Sequence, residues 1–283
     1  MKTTLDCLPC LLNNALNVAR FSTADEKARK AIMMDVMAMM SQLDMRQAPP
    51  YTAWRTNEIA WKHSGGVDAY VQQKDRSTEM AWKLLESLKE TPNYRPDSFE
   101  WRVRLAVAGN ILDFSIFWDL DIREAMKSVA EAFEKPIDVT AINRLETLMG
   151  KAKKILYLLD NAGEAVFDSV LMEPYREKIT VGVRGLPASN DMTRRELAAS
   201  GLDGYPVIDN GTCLPGVIPE FVGNEMKAAL AEADLVIAKG QGNFECLNET
   251  PYPLAFLFMA KCPVVVKLLQ TEMRSLQVKL LNV

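Results

Sequence analysis

The stretch Lys-Lys-Ile-Leu-Tyr-Leu-Leu-Asp-Asn-Ala-Gly-Glu, residues 153–164, decides the fold class of this 283-residue chain. Its apolar run, residues 155–159, has the length of a buried parallel strand and ends abruptly at Asp160 and Asn161. Side chains at the carboxyl end of such a strand face the crevice where open α/β sheets bind ligands. Carboxylate and amide oxygens suit hard divalent cations. The alternative is a polar loop in which one of the two residues caps the next helix.

Short apolar runs alternate with helical patterns after Gly150, which predicts a mostly parallel sheet covered by helices on both faces. We therefore predict a Rossmann-like three-layer α/β/α domain over residues 151–283 and an N-terminal multihelical domain over residues 1–150. The predicted strands cover residues 154–159, 178–183, 206–209, 234–238 and 263–268. The predicted helices between them cover residues 163–173, 192–200, 219–232 and 251–261. In the first half, helical spacing predicts helices over residues 24–43, 67–90, 99–111, 121–134 and 138–149, and Pro96 and Asp97 precede the third of these.

The composition excludes several classes of protein. A formal net charge of −4 and a pI of about 5.3 give no support for a nucleic-acid partner. No uncharged apolar stretch approaches the roughly 18 residues that a membrane span needs, and the N-terminus carries no apolar signal region. The five cysteines are expected to be reduced thiols in a cytoplasmic protein. A single histidine, His63, rules out a His-rich zinc site.

Two further polar clusters follow predicted strands. Asn190 and Asp191 open a predicted helix, either as its N-cap or with Asp191 placed beside the Asp160 strand end. Arg184 could bind an anion or be a surface charge. Lys239 ends a strand and precedes a glycine-rich turn, whose backbone N–H groups can cradle an anion while the lysine adds a point charge. The alternative is a simple turn.

Two motifs lie in the helical half. Asn110 and Asp113 are three residues apart, so they share one face of a helix and either point at the site or cap neighbouring segments. Cys7 and Cys10 form a lone CxxC pair, for which packing at a helix start is favoured over a redox pair or a zinc site.

Together these clusters resemble the damage-control phosphatase family, in its prokaryotic branch with an N-terminal CxxC. The matching stretches occur in the family's order at residues 6–10, 109–113, 160–164, 190–193 and 239–243. The resemblance implies a metal-dependent phosphatase of small phosphorylated metabolites, such as sugar phosphates, built from a helical region and a Rossmann-like region. It places the metal ligands, for Mn, Co, Ni or Mg, on Asp160, Asn161 and Asp191. It places the phosphate-binding lysine on Lys239.

On this basis Asp160, Asp191 and Lys239 are expected to be catalytic, and the nucleophile is either a water or a carboxylate such as Asp160. The expected contacts with substrate or phosphate come from Lys239, Gly240, Gly242, Asn243, Asn110, Asp113, Arg184 and Glu164. The expected partner is a phosphorylated metabolite, with no nucleic acid and no membrane, and the sequence does not indicate an oligomeric state. The alternatives are an S-adenosylmethionine-dependent carboxyl methyltransferase and a non-catalytic metabolite-binding protein that depends on a metal or on the CxxC thiols.

Overall fold

The computed structural model of the chain describes residues 1–110 and 122–283. Asp113 lies outside the described residues. The helices of the first half agree with the predicted helical region, and the structure adds the bounds of α1 and α3. They are α1 (Cys7–Ser22), α2 (Glu26–Met40), α3 (Pro49–His63), α4 (Val71–Lys89), α5 (Phe99–Gly109), α6 (Ile122–Glu134) and α7 (Val139–Lys151).

In the described part of the second half, strands and helices alternate and form one six-stranded sheet of order β3-β2-β1-β4-β5-β6. Strands β1 to β5 are parallel, and β6 runs antiparallel to β5. The predicted mostly parallel sheet is therefore confirmed. The elements are β1 (Ile155–Leu158), α8 (Ala165–Met172), β2 (Ile179–Val183), β3 (Val207–Asp209), α9 (Asn224–Glu232), β4 (Leu235–Lys239), α10 (Gly240–Leu247), β5 (Leu254–Met259), α11 (Pro263–Leu269) and β6 (Leu276–Leu281).

Strand β1 is buried along its whole length because helices cover both of its faces. Ile155 and Tyr157 belong to a core formed with α5, α7 and α8, whereas Leu156 and Leu158 belong to a second core formed with α9 and α10. This alternation follows the two-residue period of a strand and produces the predicted three layers. Because α5 and α7 share the first core with the sheet, the helical segment packs directly on the α/β segment. The domain boundary at residue 150 stays a prediction.

The predictions for residues 251–268 are wrong. The predicted helix 251–261 is strand β5, and the predicted strand 263–268 is helix α11. Every residue of β5 is buried, and a continuous apolar run of six residues fits a strand covered on both faces. Helix α11 contains three consecutive valines, which favour strands, but Pro263 stands in its first turn, where proline's fixed φ favours a helix start. Strand β6 has no counterpart in the prediction.

The predicted helix 192–200 is also wrong, because regular structure there is limited to a short 3₁₀ turn at Arg194–Glu196. The cap of this turn is Thr193, whose side chain and backbone N–H pair reciprocally with Glu196. The alternative in which Asn190 and Asp191 form a helix N-cap is therefore wrong, and the Asp191 carboxylate does not serve as a cap.

Two close approaches bring the helical layer onto the edge of the sheet. A Cβ on Gly109, at the end of α5, would lie 2.8 Å from the Phe167 ring of α8. A Cβ on Gly163 would lie 2.8 Å from the Ser77 carbonyl oxygen of α4. Helices α4 and α5 therefore cover the loop that follows β1. Within the described ranges, no helix combines the length and the apolar character needed to cross a bilayer.

The strand assignment of residues 254–259 predicts a difference between two leucines that are close in sequence. Leu257 is fully buried in β5, whereas Leu268 on α11 is about half exposed. Leu257→Ala should lower the free energy of unfolding by about 2–5 kcal/mol, and Leu268→Ala should change it by less than about 0.5 kcal/mol. Urea titrations of both variants test this, and equal losses would contradict the assignment.

Candidate active site

The sheet topology places a crevice between the carboxyl ends of β1 and β4. From β1 the order runs outward to β2 and β3 on one side and to β4 and β5 on the other. A reversal of this kind opens the crevice in which doubly wound sheets bind ligands. Asp160 follows β1 and Lys239 ends β4, so both residues stand at this crevice.

Asp191 reaches the same place through its backbone. Residues Asn161 and Asp191 form an isolated antiparallel bridge, and the Met192 N–H donates to the Asp160 carbonyl oxygen at 2.8 Å. The Arg184 N–H in turn donates to the Met192 carbonyl oxygen at 2.8 Å. The loop carrying Asp191 is thereby held between the ends of β1 and β2, and the predicted placement of Asp191 beside Asp160 is found.

Arg184 is a buried cation and not a surface charge, with 1% of its surface exposed. Its Nε donates to Asp191 Oδ2 at 2.6 Å, and its Nη2 lies 3.7 Å from Asp160 Oδ1. Nη2 has no hydrogen-bond partner among the described residues. A buried guanidinium nitrogen in that condition has donor capacity available for an anion in the crevice.

Two amides hold the carboxylates of Asp160 and Glu164 together. Asn110 Nδ2 donates to Asp160 Oδ2 at 3.1 Å and to Glu164 Oε2 at 2.9 Å. Asn161 Nδ2 donates to the same two oxygen atoms at 3.0 and 3.1 Å. Asn110 Oδ1 accepts from the Met259 N–H at the end of β5. Of the two alternatives for Asn110, the structure therefore gives the one in which it points at the site.

Lys239 is fully buried behind Glu164. Its Nζ donates to the Ala106 carbonyl oxygen at 2.9 Å, to Glu164 Oε1 at 2.5 Å and to Asp168 Oδ1 at 2.6 Å. These bonds use all three N–H donors of the ammonium. Burial alone would lower the pKa of Lys239, but the neighbouring Asp168 and Glu164 charges raise it above its usual value. These contacts support a positioning role for Lys239. Its predicted direct contact with phosphate stays a prediction.

Asp168 is a buried carboxylate that sequence reasoning missed. Tyr157 donates its hydroxyl to Asp168 Oδ1 at 2.8 Å. Burial raises the pKa of Asp168 to about 7, against the lowering effect of the Lys239 charge. The sequence around Asp168 in the apolar helix α8 does not indicate its partners, because Tyr157 and Lys239 belong to two different strands.

The glycine-rich turn packs directly on Asp160. Gly240 has a φ of +78°, and a Cβ there would lie 2.0 Å from Asp160 Oδ2. Helix α10 begins at Gly240, so the positive end of its dipole lies against this carboxylate. Gly242 packs against the Pro215 carbonyl oxygen, and the buried Asn243 donates to the Lys239 carbonyl oxygen. The contacts of Gly242 and Asn243 therefore shape the turn, and their predicted phosphate contacts stay predictions.

Negative charge is crowded at the crevice. Burial raises the pKa of Asp160 well above its usual value, as do the Glu164 and Asp191 charges, while Arg184 and Lys261 act in the opposite direction. A divalent cation would offset this crowding of negative charge. Within residues 1–110 and 122–283, no three His, Cys, Asp or Glu side chains form a ready metal cage. The predicted set consists instead of two carboxylates and the Asn161 amide, oxygen donors that suit a hard cation.

Asp191 has its own electrostatic surroundings. Burial raises its pKa, while the charge of Arg184 and, more weakly, that of Lys74 lower it. Lys74 on α4 is fully buried and donates to Asp68 at 2.9 Å. Sequence reasoning missed Lys74 because a lysine within a charged helical segment is normally solvated.

Lys261 is a second missed cation, for a different reason. It comes two residues after β5, and its N–H donates to Gln241 Oε1 in the glycine-rich turn at 2.9 Å. Its segment was predicted as a helix. With β5 assigned as a strand, Lys261 would have been found as a polar residue at a carboxyl edge.

Comparisons with known proteins identify the family and the fold of the chain. The family model described as the damage-control phosphatase ARMT1-like domain matches residues 3–276. The damage-control phosphatase PH1575 of Pyrococcus horikoshii is 32% identical over 284 residues, which cover 98% of this chain and 97% of that protein. A damage-control phosphatase of Archaeoglobus fulgidus is 29% identical over 275 residues, covering 94% and 95%. The crystal structure of a DUF89 family protein, PH1575 of Pyrococcus horikoshii, superimposes with a TM-score of 0.88 at 30% identity and covers 99% of both chains.

The contact between Gly240 and Asp160 predicts a local defect in one variant. Gly240→Ala would drive a methyl group into the Asp160 carboxylate and would also place alanine at a positive φ, a strain of roughly 1–2 kcal/mol. Calorimetric titration with Mn²⁺ should show weakened binding in this variant. Gly150→Ala is the matched control, because its Cβ would meet nothing within 4 Å. Equal Mn²⁺ affinity in the two variants would show that the Asp160 position is not needed for metal binding.

The buried ion pairs predict a large stability loss on removal of the lysine. Lys239→Met leaves Glu164 and Asp168 as uncompensated buried carboxylates, which should cost about 3–5 kcal/mol. Asp168→Asn added to Lys239→Met should recover part of that loss, because it removes one of the two charges. Chemical denaturation measures both variants. A Lys239→Met protein as stable as the wild type would contradict the contacts described.

Proposed function

The chain belongs to the ARMT1-like damage-control phosphatase family, and from this we propose that it is a metal-dependent phosphatase of small phosphorylated metabolites, such as sugar phosphates. The observation that carries the proposal is the meeting of Asp160, Asn161 and Asp191 beside the Arg184 guanidinium at the sheet crevice. Oxygen donors for a hard cation and a cation for a phosphate are the two elements that phosphoryl transfer requires.

The proposed metal ligands are Asp160, Asn161 and Asp191, and the metal is Mn, Co, Ni or Mg. A bound divalent cation supplies polarisation of a phosphoryl oxygen and neutralisation of developing charge. Asn110 keeps the Asp160 carboxylate in place through the hydrogen bond to Oδ2. Helix α10 presents its N-terminal backbone at the same carboxylate, and its free N–H groups are suited to bind phosphate oxygens.

The buried side chains divide into those that face the crevice and those that support it. Arg184 orients Asp191 with Nε and has Nη2 available to donate to a phosphoryl oxygen. Glu164 accepts from Lys239 with one oxygen and from two amides with the other, so its proposed role is to position Asn110 and Asn161. Lys239 holds Glu164 in turn. In this assignment Glu164 and Lys239 support the residues proposed to bind the metal, and their predicted direct substrate contacts stay predictions.

A cytoplasmic location is part of the proposal. All five cysteines are unpaired thiols in the structure, which supports a reducing compartment. Cys7 begins α1 and is buried, while Cys10 is exposed.

The direct test is release of inorganic phosphate from a panel of phosphorylated metabolites, with and without Mn²⁺, Co²⁺, Ni²⁺ or Mg²⁺. The wild type should release phosphate only with metal, and Asp160→Asn should lower that rate by roughly a hundredfold or more, because it removes the charge of a metal ligand. The control is Asp203→Asn, which alters an exposed carboxylate. Full activity of Asp160→Asn, or release that needs no metal, would refute the proposal.

A further inference from the structure

Lys74 is a buried cation that contacts both halves of the chain. It lies near the start of α4 and is fully buried. Its Nζ donates to Asp68 Oδ2 at 2.9 Å in the first half and lies 3.8 Å from Glu196 Oε1 in the second half. Glu196 is itself only 2% exposed. Because a charge removed from water needs such partners, the ammonium fixes α4 against the turn that contains Glu196.

Glu196 connects this contact to the loop that carries Asp191. Its Oε2 accepts from the Thr193 N–H at 2.8 Å and from the Thr193 hydroxyl at 2.7 Å. Thr193 is two residues after Asp191 and forms a parallel bridge with Arg184. A displacement of Thr193 would therefore move Asp191, and the carboxylate that holds Thr193 is the one that Lys74 contacts.

Two further contacts align α4 with the same segment. Arg195 donates to both carboxylate oxygens of Asp75 at 2.8 Å, and Trp82 Nε1 donates to the Ala199 carbonyl oxygen at 2.8 Å. The Arg195 and Asp75 side chains are about half exposed, and exposed ion pairs contribute little. The contact between Lys74 and Glu196 is buried and therefore much less screened, which makes it the stronger constraint of the two ion pairs.

Lys74 would affect a cation at the crevice in two opposite ways. As a positive charge near the site it repels the cation, so its removal should strengthen cation binding. As a constraint on the loop that carries Asp191 it keeps a proposed ligand in place, so its removal should weaken cation binding. The sign of the change in affinity therefore separates the two effects.

We propose that Lys74 is a positioning residue of the crevice, which holds the loop that carries Asp191 in place through Glu196 and Thr193. This inference rests on the proposed function, since it takes Asp191 as a metal ligand. It gives the first half of the chain a second route to the crevice, beside the hydrogen bonds of Asn110.

The first experiment is calorimetric titration of Mn²⁺ into Lys74→Met and into Lys74→Met combined with Asp68→Asn. Lys74→Met should bind Mn²⁺ about ten- to a hundredfold more weakly than the wild type, the usual effect of losing support for a metal ligand. The double variant should show the same loss. It removes the carboxylate that the single variant leaves unpaired, which favours folding, and it keeps the net charge of the wild type.

Two variants on the same helix serve as controls. Lys83→Met makes the same chemical change at an exposed position of α4 and should bind Mn²⁺ as the wild type does. Leu84→Ala removes a fully buried side chain from α4 and lowers stability while the ion pair remains. It should also keep the wild-type affinity, which separates a loss of stability from a loss of position.

The second experiment needs no metal. Amide hydrogen exchange in the metal-free protein, followed by mass spectrometry, reports the local opening of the segment at residues 190–196. This segment should exchange faster in both Lys74 variants than in the wild type, whereas strand β4 should exchange at the wild-type rate.

Unchanged or stronger Mn²⁺ binding in the double variant overturns the inference, as does a wild type that binds no Mn²⁺. Weaker binding with unchanged exchange of residues 190–196 also overturns it, as does an equal loss in Leu84→Ala. Failure of the proposed function gives a different result. A wild type that releases no phosphate from phosphomonoesters, with Lys74 variants that lose Mn²⁺ affinity and exchange faster, would refute the enzymatic activity and leave the positioning role in place.

Discussion

The buried ion pairs of Lys239 are the interaction on which the rest of the site depends. The Lys239 ammonium, at the end of β4, donates hydrogen bonds to Glu164 Oε1 at 2.5 Å and to Asp168 Oδ1 at 2.6 Å. Glu164 then anchors Asn110 and Asn161, and these two amides hold Asp160. Taking three charged groups out of water is costly, and removal of one partner leaves the others uncompensated. The hydrogen bonds of this cluster set the position of Glu164 and, through the two amides, that of Asp160.

The same cluster also joins the two halves of the chain. Lys239 donates to the Ala106 carbonyl oxygen of α5, and Asn110, which follows α5, bonds to the end of β5 as well as to Asp160. The helical layer therefore supplies part of the site's hydrogen bonding and not only a cover. This arrangement explains why the polar Asn110 stands at the buried end of α5, where it would be costly without partners.

Much of the crevice could be predicted from sequence because the signals are local. A buried strand followed at once by Asp160 and Asn161, and a strand ending in Lys239 before glycines, require only the rule that parallel strands share a carboxyl edge. Residues whose partners come from distant segments could not be found this way. Asp168 is paired through Lys239 and Tyr157, and no spacing in the sequence links the three.

The wrong secondary-structure predictions also affected which site residues could be found. Residues 254–259 are rich in Leu, Ala, Phe and Met, types that also occur in helices. They form a strand because β4 and β6 pair with its two edges. Exchanging β5 and α11 in the prediction hid the position of Lys261 just after a strand, at the carboxyl edge of the sheet. For Lys239, the residue was found but its surroundings were not, since burial by α5 and α8 is a tertiary property.

The central proposal is that a divalent cation and a phosphate meet at the carboxyl ends of β1 and β4. The most direct test is a crystal structure of the protein soaked with Mn²⁺ and inorganic phosphate, with manganese located by anomalous scattering. One manganese peak is expected within coordination distance of Asp160, Asn161 and Asp191, about 2.0–2.3 Å, with phosphate density between that ion and Arg184. A manganese peak elsewhere, with the crevice free of both ions, would contradict it.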